Sequence, residues 1–343
     1  MVLPAAGESG VALPAAGEGR LGVAGGSLPR SGVVEIQRAR LLSAAVSVLD
    51  ERGYAGATVA HITRRARVSR RTFYELFEDR EACLLALLQR TVEEVRGELR
   101  AAYLERLRWR ERVRVGLGAI LAFLDREPVL ARVCVVQSAR GGAAVLEYRE
   151  RLLGELAAVL DEGRRSGSRG EQCSPLNAEG LVGAALTILY ARLLRREREP
   201  LAALQGELVA MIVLPYCGAA AARREQQRPA SAAGSDAQAE RGDAPFDPLQ
   251  GLEMRMTYRT ARVLEGVAEH PGASNRLVSD YAEIQDQGQV SKLLARLERL
   301  GLVLNAGAGA HQKGECNAWT LTDRGELVVQ SIAVHTSNPS GAV

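Results

Sequence analysis

Residues 53–86 read GYAGATVAHITRRARVSRRTFYELFEDREACLLA, and the order of caps, apolar positions and arginines predicts two short helices joined by a tight turn. Upstream, Ile36, Leu41, Leu42, Ala45, Val48 and Leu49 share one helical face, and Gly53 follows where a C-terminal cap belongs. Thr58 stands as an N-cap ahead of Val59, Ile62 and Ala66. A turn at Arg67-Val68 leads to Ser69, a second N-cap, and then to Arg70-Arg71-Thr72. Phe73, Leu76 and Phe77 supply the apolar side of this second helix. Two short helices at an angle, the second opening with polar side chains, form a layout that places a helix N-terminus in the major groove of DNA.

The charge runs the same way. Five arginines (Arg64, Arg65, Arg67, Arg70, Arg71) and no acidic residue lie between Thr58 and Tyr74, which suits a polyanionic partner. The whole chain carries only +3, and 42 of its 44 basic residues are Arg, Lys292 and Lys313 being the two lysines. A GC-rich coding sequence produces that bias without function, and a basic face can simply be solvated. Charge alone leaves both readings open.

The remaining composition bounds the answer. At 343 residues the chain has room for two or three domains. Apolar residues make up 47%, mostly Leu, Val and Ala, while aromatics reach only 4%. That mixture favours packed helices, because strands draw on β-branched and aromatic residues. The five cysteines (Cys83, Cys134, Cys173, Cys217, Cys316) include no CxxC pair, and none of the four histidines lies at ligand spacing from a cysteine. Reduced thiols, with no metal site and no cofactor, are therefore expected. No nucleophile–base pairing or phosphate loop suggests an enzyme. The N-terminus lacks the basic head and apolar run of a signal peptide, and Leu208–Ala222 is too short to span a bilayer and holds Pro215. A cytoplasmic, nucleoid-associated protein with no membrane contact is expected.

Along the chain, residues 1–32 hold a repeat, LPAAGES at 3–9 and LPAAGEG at 13–19, set in Gly, Ala and Pro, and read as a disordered tail. Residues 33–95 form the first domain. Residues 96–222 show helical periodicity in segments near 99–108, 112–125, 127–138, 143–165, 177–196 and 199–222. Residues 223–248 (RREQQRPASAAGSDAQAERGDAPFDP) read as a flexible linker, whose length gives a root-mean-square reach of about 25–30 Å. A compact domain follows at 249–332, and residues 333–343 close the chain as a disordered end.

In that last domain, Thr257–Glu269 is helical and ends at His270-Pro271-Gly272. Ser274 caps a short helix bearing Leu277, Val278 and Tyr281. Val290, Leu293, Leu294, Leu297 and Leu300 repeat at helical spacing up to Gly301. Leu302-Val303-Leu304 and Ala318–Leu321 can pair as strands around NAGAGAHQKGECN, and Thr322 caps a last helix. Three helices and a glycine-tipped hairpin predict a winged helix. SKLLARLERLGLV followed by WTLTDRGE resembles MarR-like winged-helix domains. Gln287, Gln289, Ser291 and Lys292 would open its recognition helix, and His311 and Lys313 lie in the wing. Asp286 and Glu298 dilute the charge, and winged helices also serve as protein contacts, so both uses stay open.

The stretch quoted first resembles the N-terminal domain of TetR-family repressors at many points in fixed register: Gly53-Tyr54, Thr58-Val59, Ile62, Ala66, Val68-Ser69, Tyr74, Phe77, Glu81 and Leu84. Two positions depart from the family pattern. Arg67 stands where glycine is usual, which asks a side-chain-bearing residue for an uncommon backbone angle at a cost of ~1 kcal/mol. Arg80 replaces the usual lysine. The resemblance implies that Ser69, Arg70, Arg71 and Thr72 face base edges, with Arg71 suited to a bidentate guanine contact. It implies that Thr58, Tyr74 and Arg80 meet phosphates. It also implies a mainly α chain whose helical middle domain binds an effector and pairs, through 177–196 and 199–222, into a homodimer. Trp109, Phe123, Cys134, Gln137, Tyr148 and Tyr190 are candidates to line an effector pocket, with plain core as their alternative. The expected function is a sequence-specific transcriptional regulator, a ligand-responsive homodimeric repressor on operator DNA. The alternative is an architectural DNA-binding protein without effector control.

Overall fold

A computed structural model describes residues 30–101, 107–229, 254–307 and 317–337, together with Asp247, Leu249 and Leu252. Most of the expected tail and linker, the wing residues His311 and Lys313, and the final residues lie outside this set.

The described chain is mainly helical, with one two-stranded antiparallel sheet. Helix α1 (Arg30–Gly56) bends at Gly53, whose φ of 68° and ψ of 170° suit a residue without a side chain. Helices α2 (Val59–Ala66), α3 (Arg70–Leu76) and α4 (Arg80–Ala101) complete an N-terminal domain. Ile62, Phe73 and Leu84 are buried against Leu41, Leu42 and Leu49 of α1. The apolar periodicity of the sequence and these contacts therefore describe the same face.

The middle region follows as α5 (Trp109–Arg126), α6 (Pro128–Arg132), α7 (Ala143–Asp161), α8 (Gly163–Ser166) and α9 (Leu176–Arg195). Helix α6 widens into a π-helical turn at Val133–Gln137 and closes with a 3₁₀ turn at Ser138–Arg140. The expected helix at 199–222 is instead two helices. After a 3₁₀ turn at Leu201–Leu204, α10 (Gln205–Cys217) ends at Gly218 (φ 81°, ψ 172°), and α11 (Ala219–Gln227) packs back along α10. The approach is close: a Cβ on Gly206 would lie 3.0 Å from the Gln226 carbonyl oxygen. The continuous Leu/Val/Ala run concealed two breakers, Pro215 and Gly218. The carbonyl groups released at this bend are taken up by the neighbouring loop, with Arg169 N–H donating to Tyr216 O at 2.9 Å.

A buried ion pair holds the α10–α11 hairpin on α5. The Arg114 guanidinium lies 3.2 Å from the Glu225 carboxylate and donates to the backbone carbonyls of Glu225, Arg228 and Pro229. It thereby caps the C-terminal end of α11. Gln205, also buried, donates to Arg114 O at 2.9 Å.

The C-terminal module comprises α12 (Tyr258–Glu269), α13 (Asn275–Tyr281), α14 (Gln287–Arg299), strands β1 (Val303–Asn305) and β2 (Trp319–Leu321), and α15 (Asp323–Ser337). The strands pair in register Val303↔Leu321, Leu304↔Thr320, Asn305↔Trp319, and Ala273 adds an isolated bridge to Trp319. Its core is not its own alone. Val33 and Ile36 of α1 are buried together with Leu249, Leu252, Met254, Met256, Val263, Leu297 and Ile332. The sequence assigned Ile36 to the first domain by periodicity, but a helical face does not name the element that covers it.

Breaking the Arg114–Glu225 pair from one side leaves a buried charge without its counter-ion. Glu225→Ala is expected to destabilise the fold by about 3–5 kcal/mol, whereas the paired change Arg114→Met with Glu225→Leu recovers part of that loss, the carbonyls that Arg114 satisfied being left without a donor. Urea unfolding of the three proteins measures both effects; equal losses in the single and double variants would show that the pair's charges are not what matters.

Candidate nucleic-acid interface

The two short helices are built by their caps. Thr58 Oγ1 accepts the His61 N–H at 3.2 Å and starts α2. Helix α2 ends on Arg67 in the left-handed conformation (φ 55°, ψ 36°), and the Val68 N–H reaches back to Thr63 O at 3.1 Å. The expected cost of a non-glycine residue at this turn is thus visible in the backbone itself. Ser69 Oγ then accepts the Thr72 N–H at 3.0 Å and shares a 2.8 Å hydrogen bond with Thr72 Oγ1. Phe73 is fully buried and packs against the rings of Tyr74 and Phe77, each centroid 5.5 Å away. Burial of Phe73 decides which way α3 faces.

Its outer face consists of Arg70, Arg71 and Tyr74, all exposed, with Ser69 and Thr72 half-buried at the cap. Tyr74 is 58% exposed although aromatic. Arg71, 89% exposed, pairs with Glu75 one turn later at 2.9 Å. A surface pair of this kind is worth only about 0.3–0.5 kcal/mol, so a phosphate or base edge can take the guanidinium from it. Arg64, Arg65 and Arg67 extend the exposed positive surface along α2, with Arg65 2.6 Å from Glu51. Thr58 is exposed at the start of that helix.

Arg80 is engaged within the chain. Its guanidinium donates to the carbonyls of Tyr54 (2.8 Å) and Ala57 (2.5 Å) and stacks 4.3 Å from the Tyr54 ring centroid. It ties the start of α4 to the α1–α2 turn. In the C-terminal module, Gln287, Gln289, Ser291 and Lys292 are exposed over the first turns of α14, which Asp286 caps through the Gln289 N–H. Gln289 also accepts from Arg259 at 3.1 Å. The α3 and α14 sets therefore stand on separate helices, each backed by a different core.

Several residues that link the N-terminal domain to the rest escaped the sequence reading. Asp50 and Arg132 form a fork of 2.6 and 2.8 Å, and the hydrogen bond from Arg132 holds the Asp50 carboxyl below its ordinary range. Gln137, read as a pocket candidate, instead accepts the Tyr54 N–H at 3.0 Å. Glu81 accepts the N–H groups of Ala144 (3.0 Å) and Val145 (3.4 Å), serving as a cap for α7 that the residue at its N-cap position, Gly142, cannot provide. A helix beginning after two glycines was the one available signal. The other pocket candidates also serve packing: Phe123 and Trp109 are buried, and Trp109 donates to Val159 O at 3.0 Å. An open cleft of about 560 Å³ lies elsewhere, between α7 and α9, with Leu153, Ala157 and Val182 among its walls and Glu150, Asp161 and Glu179 as its acidic members.

Cys83 is buried and Cys134 half-buried, and loss of solvent pushes both thiols up to about 12. Among the described residues, no group of three or more His, Cys, Asp or Glu side chains is placed to hold a metal ion. No single described helix is long and apolar enough to cross a membrane.

Residues 41–87 match the family model described as bacterial regulatory proteins, tetR family. The N-terminal domain is a TetR-family helix-turn-helix domain. Among curated proteins, the chain is similar to the HTH-type transcriptional regulator BetI of Escherichia coli (strain K12 / DH10B), 35% identical over 80 residues, which is 23% of this chain and 39% of that protein. BetI of Paraburkholderia phytofirmans is 32% identical over 68 residues, 20% of this chain and 35% of that protein. The chain thus spans about two fifths of the length of these relatives. Among solved structures, the fatty acid degradation regulator FadR from Bacillus halodurans aligns over 52% of this chain and 94% of its own, at 21% identity and a TM-score of 0.47. FadR from Bacillus subtilis in complex with stearoyl-CoA aligns over 51% and 97%, at 20% identity and a TM-score of 0.46.

Replacing Arg67 by glycine removes the side chain from a left-handed position and is expected to raise stability by up to about 1 kcal/mol. Denaturant unfolding of Arg67→Gly checks this, and a lowered midpoint would refute it.

Proposed function

We propose that this chain is a sequence-specific DNA-binding transcriptional regulator, a homodimeric repressor released from its operator by a small ligand. The observation that carries the reading is the outer face of α3: exposed Arg70, Arg71 and Tyr74, capped by Ser69 and aimed outward by the burial of Phe73. Because this face belongs to a TetR-family domain, Ser69, Arg70, Arg71 and Thr72 are assigned to base edges. Thr58 and Tyr74 are assigned to phosphates. Arg80 serves the interface indirectly, by fixing the turn that presents Thr58.

Dimerisation through α9 is supported by its outer surface, where Leu176 and Leu194 are 69% and 52% exposed and a Cβ on Gly180 or Gly183 would meet nothing. The two leucines lie on one face of the helix, and the small residues between them permit close approach of a second copy. The α7–α9 cleft is the candidate effector site. A ligand there would act on α7, whose first turn is capped by Glu81 of the DNA-binding domain, and so bias the spacing of the two α3 helices. For the C-terminal module, the order of three helices and a hairpin, with Ala273 bridging to Trp319, supports a winged helix. Helix α14 would be its DNA-reading element, through Gln287, Gln289, Ser291 and Lys292.

The test is selection of the full-length chain on randomised duplex DNA. A palindromic motif is expected. Arg71→Ala should relax one base position in each half-site at a cost of about 1–3 kcal/mol. Tyr74→Phe should weaken binding evenly across sequences, by roughly two- to tenfold for the loss of one hydrogen bond. Enrichment of no motif, with a steep salt dependence, would replace this reading by that of an architectural DNA-binding protein.

A further inference from the structure

The C-terminal module is fastened to the helix that carries the DNA-binding domain. The described residues of this segment, Asp247, Leu249, Leu252 and 254–256, form a strap along α1, in which Leu249, Leu252, Met254 and Met256 are buried with Val33 and Ile36. Polar contacts fix its register. Arg40, only 4% exposed, donates to the carbonyls of Met254 (2.8 Å) and Leu252 (3.1 Å), with its Nε 3.6 Å from the Asp247 carboxylate. Gln37 donates to Met256 O at 3.0 Å. Helices α12 and α15 complete the docked surface against α1. Burial lowers the pKa of Arg40, an effect opposed by Asp247 and reinforced by Arg67 at the α2–α3 turn.

Docking leaves both candidate reading faces open. Arg70, Arg71 and Tyr74 on α3 are exposed, and so are Gln287, Gln289, Ser291 and Lys292 on α14. We infer that the N-terminal domain and the C-terminal module act as one rigid DNA reader, so that the operator is composite, with the α14 target at a fixed distance and helical phase from each α3 half-site. This rests on the proposed DNA-binding function of both helices. A freely tethered module would behave differently: a reach of about 25–30 Å covers most of a helical turn and would accept many spacings. Rigid docking accepts one, because a shift of about five base pairs carries the second target to the opposite side of the duplex.

The experiment uses full-length protein on duplexes in which the selected α3 palindrome is flanked by randomised sequence at graded distances. Flanking bases are expected to enrich at one distance, with at least a tenfold loss of affinity when that distance changes by half a turn. Lengthening the 230–246 segment by ten Gly/Ser residues should leave this preference unchanged. Gln37→Ala with Arg40→Ala, and separately Ile36→Asn, should release the module and reduce the half-turn penalty to less than twofold. The first of these variants leaves the apolar side chains of both cores in place, and a thermal unfolding curve of each variant guards against a folding defect. If the lengthened linker broadens the preference, or if the parent protein reads flanking bases at every spacing, the rigid unit is refuted while α14 remains a DNA reader. If no flanking base enriches and Lys292→Ala changes nothing, α14 does not read DNA, and this inference falls with that part of the functional reading.

Discussion

Helix α1 is buried from Ala39 through Leu49 with Ser47 alone half-exposed, and that degree of enclosure is the constraint on which the other elements depend. A surface helix covers one apolar stripe and leaves the rest to water. Here the N-terminal portion of α1 enters the core of the C-terminal module, its central leucines form the core of the helix-turn-helix, and its last turn meets the middle region through Asp50 and Tyr54. A displacement of α1 therefore disturbs three packing surfaces at once. Close-packed interiors resist such displacement, so α1 moves as a unit or not at all. The bend at Gly53 marks where this stiffness ends and the chain turns toward α2.

The connections to the middle region are polar and short-ranged. Arg132 on α6, Gln137 at the end of the π-helical turn and the α7 N-terminus each hold a different point of the N-terminal domain, through Asp50, Tyr54 and Glu81 respectively. Directional contacts of this kind lose most of their value when geometry shifts by an ångström. A rearrangement near α7 would therefore reach the N-terminal domain as the making or breaking of specific hydrogen bonds. The irregular π and 3₁₀ turns at 133–140 lie between two of these contacts, at the point where helical geometry is least regular.

Much of this architecture was legible in the residues. The caps at Thr58 and Ser69 and the buried Phe73 follow from local chemistry acting over three or four residues, and each stands where that chemistry put it, while Gly53, expected to end the first helix, instead bends α1, which runs on to Gly56. Arg67 was marked as strained because a side chain occupies a turn that favours glycine, and its φ of 55° is the physical form of that strain. What the sequence could not show was tertiary assignment. Ile36 has the spacing of a core residue, yet nothing local distinguishes the core of its own domain from that of a module more than two hundred residues away. The bend at Gly218 was obscured for a related reason: apolar residues continue on both sides of it, so hydropathy persists while the axis reverses. Arg80 was matched to a phosphate role by position, but two carbonyls and the Tyr54 ring lie within its reach and engage it first.

Arginine is so abundant in this chain that composition cannot separate a DNA contact from a structural brace, and burial is what separates them. Arg40, Arg80, Arg114 and Arg132 each end on backbone carbonyls or a carboxylate at least partly shielded from water. The planar guanidinium suits this use, since its several donors can satisfy neighbouring carbonyls at once. Displacing such a group strands the acceptors that it satisfied, which makes these arginines poor candidates for exchange with a ligand. Arg70 and Arg71, by contrast, stand exposed on a helix whose other side is fixed by Phe73, and the pairing of Arg71 with Glu75 is weak enough to give way. The same residue type thus braces four separate contacts and stands exposed on one helix face, and the division follows from which faces remain uncovered once the helices have packed.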